Sequence, residues 1–296
     1  MKRLKILIFL SILSIPTFAQ DWESVEIKTV EVADKIYMLQ GRGGNIGVIA
    51  GDDGVLIVDD QYAPLVPKIK AAIAALSDKE VRYVVNTHYH GDHMGGNEVF
   101  GESGSIIIAH ENVRERISTD QLMVHMQRPV PARPEAAWPV ITFTEDVTFY
   151  FNDEEIWIHK GPSAHTDGDA VVWFKKANVI HMGDTFVRYG YPFIDVSGGG
   201  SVTGMIDHLE QVLNMIDNET KVIPGHGELA TKSDIVTFKN VISDIRDSVA
   251  AAVEQGDGLD EILSSGITEK YDEQWQGDFI KAKDFITFTY EDLIKK

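Results

Sequence analysis

The sequence contains no cysteine among its 296 residues, and this absence excludes disulfide bonds and a lipid anchor attached to a cysteine. The chain is also poor in positive charge, because 27 Lys and Arg stand against 46 Asp and Glu, giving a net charge of -19. Such a surface repels phosphate backbones and anionic lipid, so nucleic acid and membrane surfaces are disfavoured as partners. A hydrophobic content of 44% is typical of a globular protein.

The sequence also lacks an apolar run long enough to span a membrane. Residues 6–15 are apolar, but a bilayer core of about 30 Å requires roughly 20 such residues. This stretch follows Lys2, Arg3 and Lys5 and precedes Pro16-Thr17-Phe18-Ala19, which is the order of a secretory signal peptide. We therefore predict a signal peptide over residues 1–19. Residues 20–296 are predicted to form a single periplasmic or secreted domain that ends in a helical segment and has no membrane attachment.

The remaining pattern is one of strands followed by helices. Alternating apolar residues and turn glycines predict antiparallel strands over residues 36–39, 46–49 and 55–58, after which Pro64 lies near the start of a helix. Val81–Val85 is predicted to be a buried strand, and a second strand and helix follow over 106–117. Further strands are predicted at 147–151, 155–159, 170–174 and 179–182, and helices at 202–216, 235–253 and the C-terminus. This order predicts an α/β fold, a four-layer αβ/βα sandwich of two mixed sheets with outer helices.

Four possible metal ligands lie within six residues directly after Val81–Val85, in the run Thr87-His88-Tyr89-His90-Gly91-Asp92-His93. Alternation along an extended chain directs His88 and His90 to the same side, and a turn at Gly91 lets Asp92 and His93 face a second metal. A catalytic zinc ion is held by imidazoles and carboxylates and keeps one position open for water. The run therefore predicts a catalytic metal site.

The His-x-His-x-Asp-His pattern resembles the signature of the metallo-β-lactamase superfamily, and His165, Asp184 and His226 match later positions of that family. The resemblance covers residues 36–227 and implies the metallo-β-lactamase fold with two zinc ions. It implies the following ligands: His88, His90 and His165 on one zinc; Asp92, His93 and His226 on the other; and Asp184 between the two or on the second. Asp59 matches an aspartate that supports the metal site, although it could also simply form a turn.

Two departures refine this resemblance. Asp184 stands where the antibiotic-destroying subclass has a cysteine ligand, so the site is similar to those of glyoxalase-type and lactonase-type members. His90 stands where the di-iron flavoprotein members carry glutamate, which favours zinc over iron. Five other histidines match no ligand position and are predicted to be structural: His110, His125, His159, His181 and His208.

The predicted activity is hydrolysis of a small acyl substrate by a hydroxide that bridges the two zinc ions. Asp92 and Asp184 are the predicted catalytic residues, with Asp92 orienting the nucleophile or carrying a proton. Opening of a β-lactam ring is the leading hypothesis, because residues 183–195 resemble β-lactamase-like proteins that lack the cysteine. The alternatives are a lactonase, esterase or thioesterase of the same fold, and a metal-binding or interaction protein without turnover. No protein partner is evident.

Substrate contacts are expected from loops above the metals. Arg188 is a candidate carboxylate anchor or a solvated surface arginine, and Trp138 is a candidate contact in residues 118–139. That segment is rich in proline and is predicted to be a loop or frayed helix. The turn at residues 41–45 is a second candidate loop. A phenol near the substrate carbonyl could come from one of three tyrosines: Tyr62, Tyr189 or Tyr191.

Overall fold

A computed structural model of the protein describes residues 21–295, and the predicted signal peptide lies outside the described residues. The strands, in chain order, are β1 (Lys28–Ala33), β2 (Ile36–Gln40), β3 (Ile46–Gly51), β4 (Gly54–Val58), β5 (Val81–Val85), β6 (Ile106–His110), β7 (Gln121–Met123), β8 (Arg128–Val130), β9 (Ile141–Phe143), β10 (Val147–Phe151), β11 (Glu154–His159), β12 (Val171–Phe174), β13 (Val179–His181), β14 (Lys221–Ile223) and β15 (Ala230–Thr231). The helices are α1 (Val66–Ala74), α2 (Gly91–Met94), α3 (Asn97–Glu102), α4 (Glu111–Ile117), α5 (Val202–Met215), α6 (Lys232–Gln255), α7 (Leu259–Leu263), α8 (Glu269–Trp275) and α9 (Ala282–Ile294). Within residues 21–295, no helix has the length and apolar character needed to cross a bilayer.

Two mixed sheets form the centre of the fold. The seven-stranded sheet has the order β1-β2-β3-β4-β5-β6-β9, and the six-stranded sheet has the order β10-β11-β12-β13-β14-β15. The strands from β1 to β4 pair antiparallel, as the sequence predicts, whereas β4, β5, β6 and β9 run parallel. In the second sheet, β13 and β14 are the parallel pair.

Alternation along the strands builds three apolar layers. In β4, Leu56 and Val58 face the second sheet, while Ile57 faces the other way and shares a core with Ile69 of α1. In β12, Val172 faces the first sheet, and Val171 belongs to the core that α5, α6 and α9 complete. Both faces of each sheet are therefore covered, and the predicted α/β sandwich of two mixed sheets with outer helices is confirmed.

Residues 118–139 differ from the predicted loop or frayed helix. The central part of this segment is a hairpin of β7 and β8, in which Gln121 pairs with Val130, and a short 3-10 turn follows at Glu135–Ala137. Met123 is buried in the core beneath α5, α6 and α9. Pro129 has no N–H to donate, but each strand of a two-stranded ribbon has an outer edge whose N–H groups face solvent. A proline at such an edge removes no hydrogen bond between the strands.

Candidate metal centre

The run from His88 to His93 begins where β5 ends. The Asn86 side chain exchanges hydrogen bonds of 3.0 and 2.8 Å with Asn97, which anchors the chain as it leaves the strand. His90 has extended backbone dihedrals, φ -70° and ψ 145°, and α2 begins directly after it at Gly91. The change from extended chain to helix directs the earlier and later ligands of the run towards different clusters.

The first cluster consists of His88, His90 and His165, whose ligand atoms lie within 4.8 Å of one another. His165 Nε2 is 2.7 Å from His90 Nδ1, and His165 Nδ1 donates a hydrogen bond to the carbonyl of Phe193 at 2.7 Å. His88 Nε2 is buried and has no hydrogen-bond partner among residues 21–295. A buried imidazole nitrogen without a partner costs folding free energy unless it binds a cation or forms a hydrogen bond.

The second cluster consists of Asp92, His93 and His226. His226 Nε2 lies 3.2 Å from His93 Nε2 and 3.3 Å from Asp92 Oδ2. The side chains of His226 and Asp92 are 21% and 28% exposed, whereas His88 and His165 are each 1% exposed as whole residues. The second cluster therefore forms the open side of the site, from which a substrate can approach.

Asp184 connects the two clusters. Its Oδ1 lies 3.1 Å from His93 Nε2, and its Oδ2 lies 3.6 Å from His165 Nε2. Asp184 and His226 follow β13 and β14, and the carboxyl ends of these parallel neighbours meet at one edge of the sheet. Gly183 has a φ of +50°, and a Cβ added there would lie 2.6 Å from Thr87 Oγ1. The lack of a side chain at Gly183 therefore permits the turn that places Asp184 in the site.

The charge states of His88 and Asp184 match metal ligation. At His93 and His226, burial lowers the pKa, but the neighbouring carboxylates, above all Asp184, outweigh it and raise the pKa, so these two imidazoles release a proton on binding a cation. Burial, followed by the neighbouring His93 and His165, lowers the pKa of His88 well below its ordinary value, so its imidazole is neutral. Burial raises the pKa of Asp184, but His93 and His226 outweigh it and hold that pKa well below its usual range. Neutral imidazoles and ionised carboxylates are the forms that bind a divalent cation. The donor set contains nitrogen and oxygen only, which fits zinc.

Asp59 fixes the orientation of a cluster histidine. It is fully buried; its Oδ2 accepts hydrogen bonds from His93 Nδ1 at 2.7 Å and Thr87 Oγ1 at 2.8 Å, and its Oδ1 accepts from Thr87 N at 2.8 Å. The His93 ring is thereby held with Nε2 facing Asp184 and His226. This is the supporting position that the sequence resemblance implies for Asp59.

We expect Asp59→Asn to weaken metal affinity by about 10-fold to 100-fold, because an amide cannot accept all three of these hydrogen bonds. The measurement is competition for the metal against a chromophoric chelator. Asp146→Asn is the matched control, since Asp146 forms the same kind of Asp–His pair with His159, at 2.8 Å, outside both clusters and away from Asp184. Equal affinity in Asp59→Asn and wild type would show that Asp59 does not support the site.

Asp195 is a site residue that the sequence reasoning missed. Its Oδ2 is 3.1 Å from His90 Nε2 and also accepts a hydrogen bond from the Tyr89 hydroxyl. Its Oδ1 accepts hydrogen bonds from Ser197 Oγ and Gly198 N at 2.6 and 2.8 Å. Asp195 thus orients His90 as Asp59 orients His93. The available signal was an acidic residue between the apolar Ile194 and Val196, which indicates a buried carboxylate with partners.

The two predicted substrate contacts, Arg188 and Trp138, both donate hydrogen bonds to backbone carbonyls of the protein itself. Arg188 Nη1 donates to the carbonyl of Leu229 at 2.6 Å, and Nη2 lies 3.7 Å from Asp234, so its guanidinium has structural partners. The Trp138 indole donates to the carbonyl of Arg133 at 2.9 Å.

None of the five histidines predicted to be structural belongs to a metal-capable cluster of residues 21–295.

Two of the three candidate tyrosines lie near the site. The Tyr189 ring is 5.5 Å from that of His226, and burial together with the nearby Asp184 raises the pKa of its phenol. Burial and the nearby Asp92 raise the pKa of Tyr62 to about 12. The hydroxyl of Tyr191 instead donates to Asp272 at 2.9 Å, and its ring stacks on Phe285 of α9.

Comparison of the sequence with known proteins gives two similarities. The family model described as the metallo-beta-lactamase superfamily matches residues 39–226. A hydroxyacylglutathione hydrolase of Pelagibacter ubique is 25% identical over 167 residues, which cover 53% of this chain and 57% of that protein. The match thus spans little more than half the length of this curated relative.

Solved structures share the fold. A double mutant of the sec-alkyl sulfatase PisA1 superposes with a TM-score of 0.70 at 13% identity, covering 90% of this chain and 50% of that one. A metallo-beta-lactamase from Pontibacter korlensis gives a TM-score of 0.60 at 15% identity, covering 74% and 100%. The DIM-1 metallo-beta-lactamase gives 0.59 at 17%, covering 74% and 98%.

Proposed function

Because the chain belongs to the metallo-β-lactamase superfamily, we propose that it is an exported dinuclear zinc hydrolase that opens a cyclic amide, the β-lactam ring. The observation that carries the dinuclear hydrolase is the position of Asp184, with one oxygen near His93 and the other near His165, whereas the choice of a β-lactam rests on the predicted export and on the resemblance of residues 183–195. A carboxylate placed in this way can serve two metal ions at once. Two-metal sites are well suited to hydrolysis, because they act on both the attacking and the leaving atoms.

The residues divide naturally between two ions. His88, His90 and His165 would hold one zinc, Asp92, His93 and His226 would hold the other, and Asp184 would contact both. When bound, the zinc ions would supply an activated water and polarise the scissile carbonyl. The chain itself orients these ligands through Asp59 and Asp195, which fix the His93 and His90 rings.

Two side chains on the open side can take part in proton handling. Asp92 is ionised, because His226 and His93 outweigh the effect of burial and hold its pKa below the usual range. It can orient a water molecule by accepting a hydrogen bond from it. Tyr189 keeps its proton, since burial and Asp184 raise its pKa, and its phenol can donate a hydrogen bond to a substrate near His226.

A second candidate is hydrolysis of a lactone, ester or thioester by the same residues. The curated relative named hydroxyacylglutathione hydrolase favours this second candidate, because it is similar to the chain in amino-acid sequence, at 25% identity. The predicted signal peptide favours the β-lactam, since export separates the enzyme from the glutathione thioesters of the cytoplasm.

We expect purified protein to contain close to two zinc ions per chain and to lose turnover when EDTA removes them. In the proposed site the attacking water depends on the metal ions for its activation, and no serine or cysteine nucleophile takes its place. Elemental analysis and the hydrolysis rate, before and after dialysis, measure both effects. Adding zinc back should restore the rate, which separates metal loss from unfolding. Full activity in metal-free protein would exclude this mechanism.

The same zinc-loaded protein decides between the two substrate classes. Its kcat/KM is measured in parallel for a penicillin, a cephalosporin, a carbapenem, an acyl-homoserine lactone and a simple thioester. The proposal expects a β-lactam to have the highest value. A lactone or thioester that exceeds every β-lactam by orders of magnitude would establish the second candidate instead.

A further inference from the structure

The second cluster and the connecting Asp184 are assembled from both sheets. Asp92 and His93 follow β5 of the first sheet, whereas Asp184 and His226 follow β13 and β14 of the second. The distance of 3.2 Å between His93 Nε2 and His226 Nε2 therefore depends on how the end of one sheet is placed against the end of the other. This placement has to be fixed, because a misplacement of about 1 Å in a site can lower a rate about 100-fold.

Asn45 fixes the two sheet ends against each other. It immediately precedes β3 of the first sheet and is 3% exposed. Its backbone N–H donates to the carbonyl of Gly225 at 2.7 Å, and its side-chain Nδ2 donates to the carbonyls of Pro224 and Gly227 at 2.8 Å each. One residue beside the first sheet thus forms three hydrogen bonds with the loop that follows β14 and carries His226.

The amide group of Asn45 is the part of the side chain that holds this loop. Its nitrogen carries two hydrogen atoms, and each of them is taken by one carbonyl of the loop. Buried backbone carbonyls without a donor cost folding free energy, so these two bonds stabilise the observed position of the loop. An aspartate of nearly the same size has no hydrogen atom to donate when ionised, and it would place a negative charge beside the two carbonyl oxygens.

His181 connects Asn45 to the turn that carries Asp184. It is fully buried at the end of β13, and its Nε2 lies 3.0 Å from the carbonyl oxygen of Asn45. Since a carbonyl oxygen only accepts hydrogen bonds, Nε2 carries the proton, and Nδ1 accepts a hydrogen bond of 3.2 Å from the N–H of Gly183. Asn45 is therefore connected to both segments of the second sheet that supply metal-site residues.

We propose that Asn45 is a positioning residue of the metal centre, which sets the distance between the two halves of the second cluster by holding the His226 loop against the first sheet. This inference rests on the proposed dinuclear centre and adds to it a residue that touches neither metal nor substrate. The turn at residues 41–45, which the sequence predicts as a loop for substrate contacts, then serves to place a metal ligand. Gln40 assists, because its Nε2 donates a further hydrogen bond of 2.9 Å to Gly227.

The test compares Asn45→Asp with the matched control Asn152→Asp. Asn152 is also a buried asparagine that connects the two sheets, since it follows β10 and its Nδ2 donates to the carbonyl of Gly54 in β4 at 2.9 Å. It lies beside Gly51, at the opposite end of β3, which is about 20 Å from Asn45 at the usual rise of a strand. Both variants lose a hydrogen bond between the sheets, but only Asn45→Asp alters the His226 loop.

We expect Asn45→Asp to weaken binding of the second zinc ion by about 10-fold to 100-fold and to leave the affinity for the first ion unchanged, because the first cluster has no contact with this loop. Competition against a chromophoric chelator measures both affinities. The d–d absorption of cobalt-substituted protein reports the coordination geometry of the second ion, and it should change in Asn45→Asp. Asn152→Asp should retain the wild-type affinities and absorption. Asn45→Ser keeps one donor without adding charge, and a smaller loss of the same ion is expected.

Thermal unfolding of the metal-free proteins separates positioning from stability, and Asn45→Ser provides the affinity data if Asn45→Asp does not fold. Equal loss of the second ion in the Asn45 variants and Asn152→Asp, or wild-type affinity in the folded Asn45 variants, overturns the proposed role of Asn45 alone. Wild-type protein that binds no second ion overturns the dinuclear centre and this role together. No substrate is used, so these outcomes do not depend on which acyl compound is hydrolysed.

Discussion

Asp184→Ala should lower kcat/KM on the order of 10³-fold or more and release one of the two metal ions of each chain. This loss exceeds the effect of about 10-fold to 100-fold that is expected for a residue that only supports a ligand. The reason is geometric, because Asp184 is the residue whose two oxygens face different clusters, at 3.1 Å from His93 Nε2 and 3.6 Å from His165 Nε2. Its removal also takes away a carboxylate oxygen that lies 3.1 Å from His93 Nε2 and 3.5 Å from His226 Nε2.

The measurement combines elemental analysis after gel filtration with steady-state kinetics on the best substrate. Asp184→Asn keeps the size of the side chain and removes its charge, so it tests ligation separately from packing. Asp247→Asn is the control, since Asp247 is 69% exposed and contacts Arg246 at 2.8 Å. Thermal unfolding checks that the Asp184 variants fold. Two retained ions with near wild-type turnover would contradict the assignment of Asp184 to both metals.

Gly44→Ala should lower kcat/KM about 100-fold or more by displacing His93, since a misplacement of 1 Å in a site can have this effect. An added Cβ would lie 2.1 Å from Cε1 and 2.4 Å from Nε2 of the His93 ring. The ring cannot retreat, because its Nδ1 donates to Asp59 at 2.7 Å. The backbone of Gly44 is held as well, by hydrogen bonds of 3.0 Å to the Asp92 carbonyl and 2.7 Å from Gln61.

Metal content and kinetics again measure the effect, and loss of the ion at the second cluster is the expected cause. Gly258→Ala is the matched control, because the nearest atom to its added Cβ is Glu261 Oε2 at 3.7 Å. This control should retain wild-type metal content and rate. If Gly44→Ala were as active as Gly258→Ala, the close approach of Gly44 to His93 would have no role in holding the ligand.

Local patterns were sufficient to predict most of the secondary structure near the site. Val81–Val85 has the predicted bounds, and β2, β3 and β4 follow the predicted antiparallel order. For residues 118–139 the predicted loop or frayed helix is wrong where β7 and β8 pair, because prolines suggested an irregular segment throughout. The hairpin there depends on pairing between β7 and β8 and on burial of Met123, which are contacts beyond the reach of a local pattern.

The sequence by itself determined the α/β class and the ligand run from His88 to His93, because periods of two and 3.6 residues and close spacing are local properties. Only the tertiary structure decided how the remaining groups meet. Asp184 and His226 approach the run because β13 and β14 are parallel neighbours. Asp195 reaches His90, and Asn45 reaches the loop that carries His226, through contacts between segments far apart in the chain. Such contacts depend on how the sheets and loops pack, and that packing is a property of the whole folded chain.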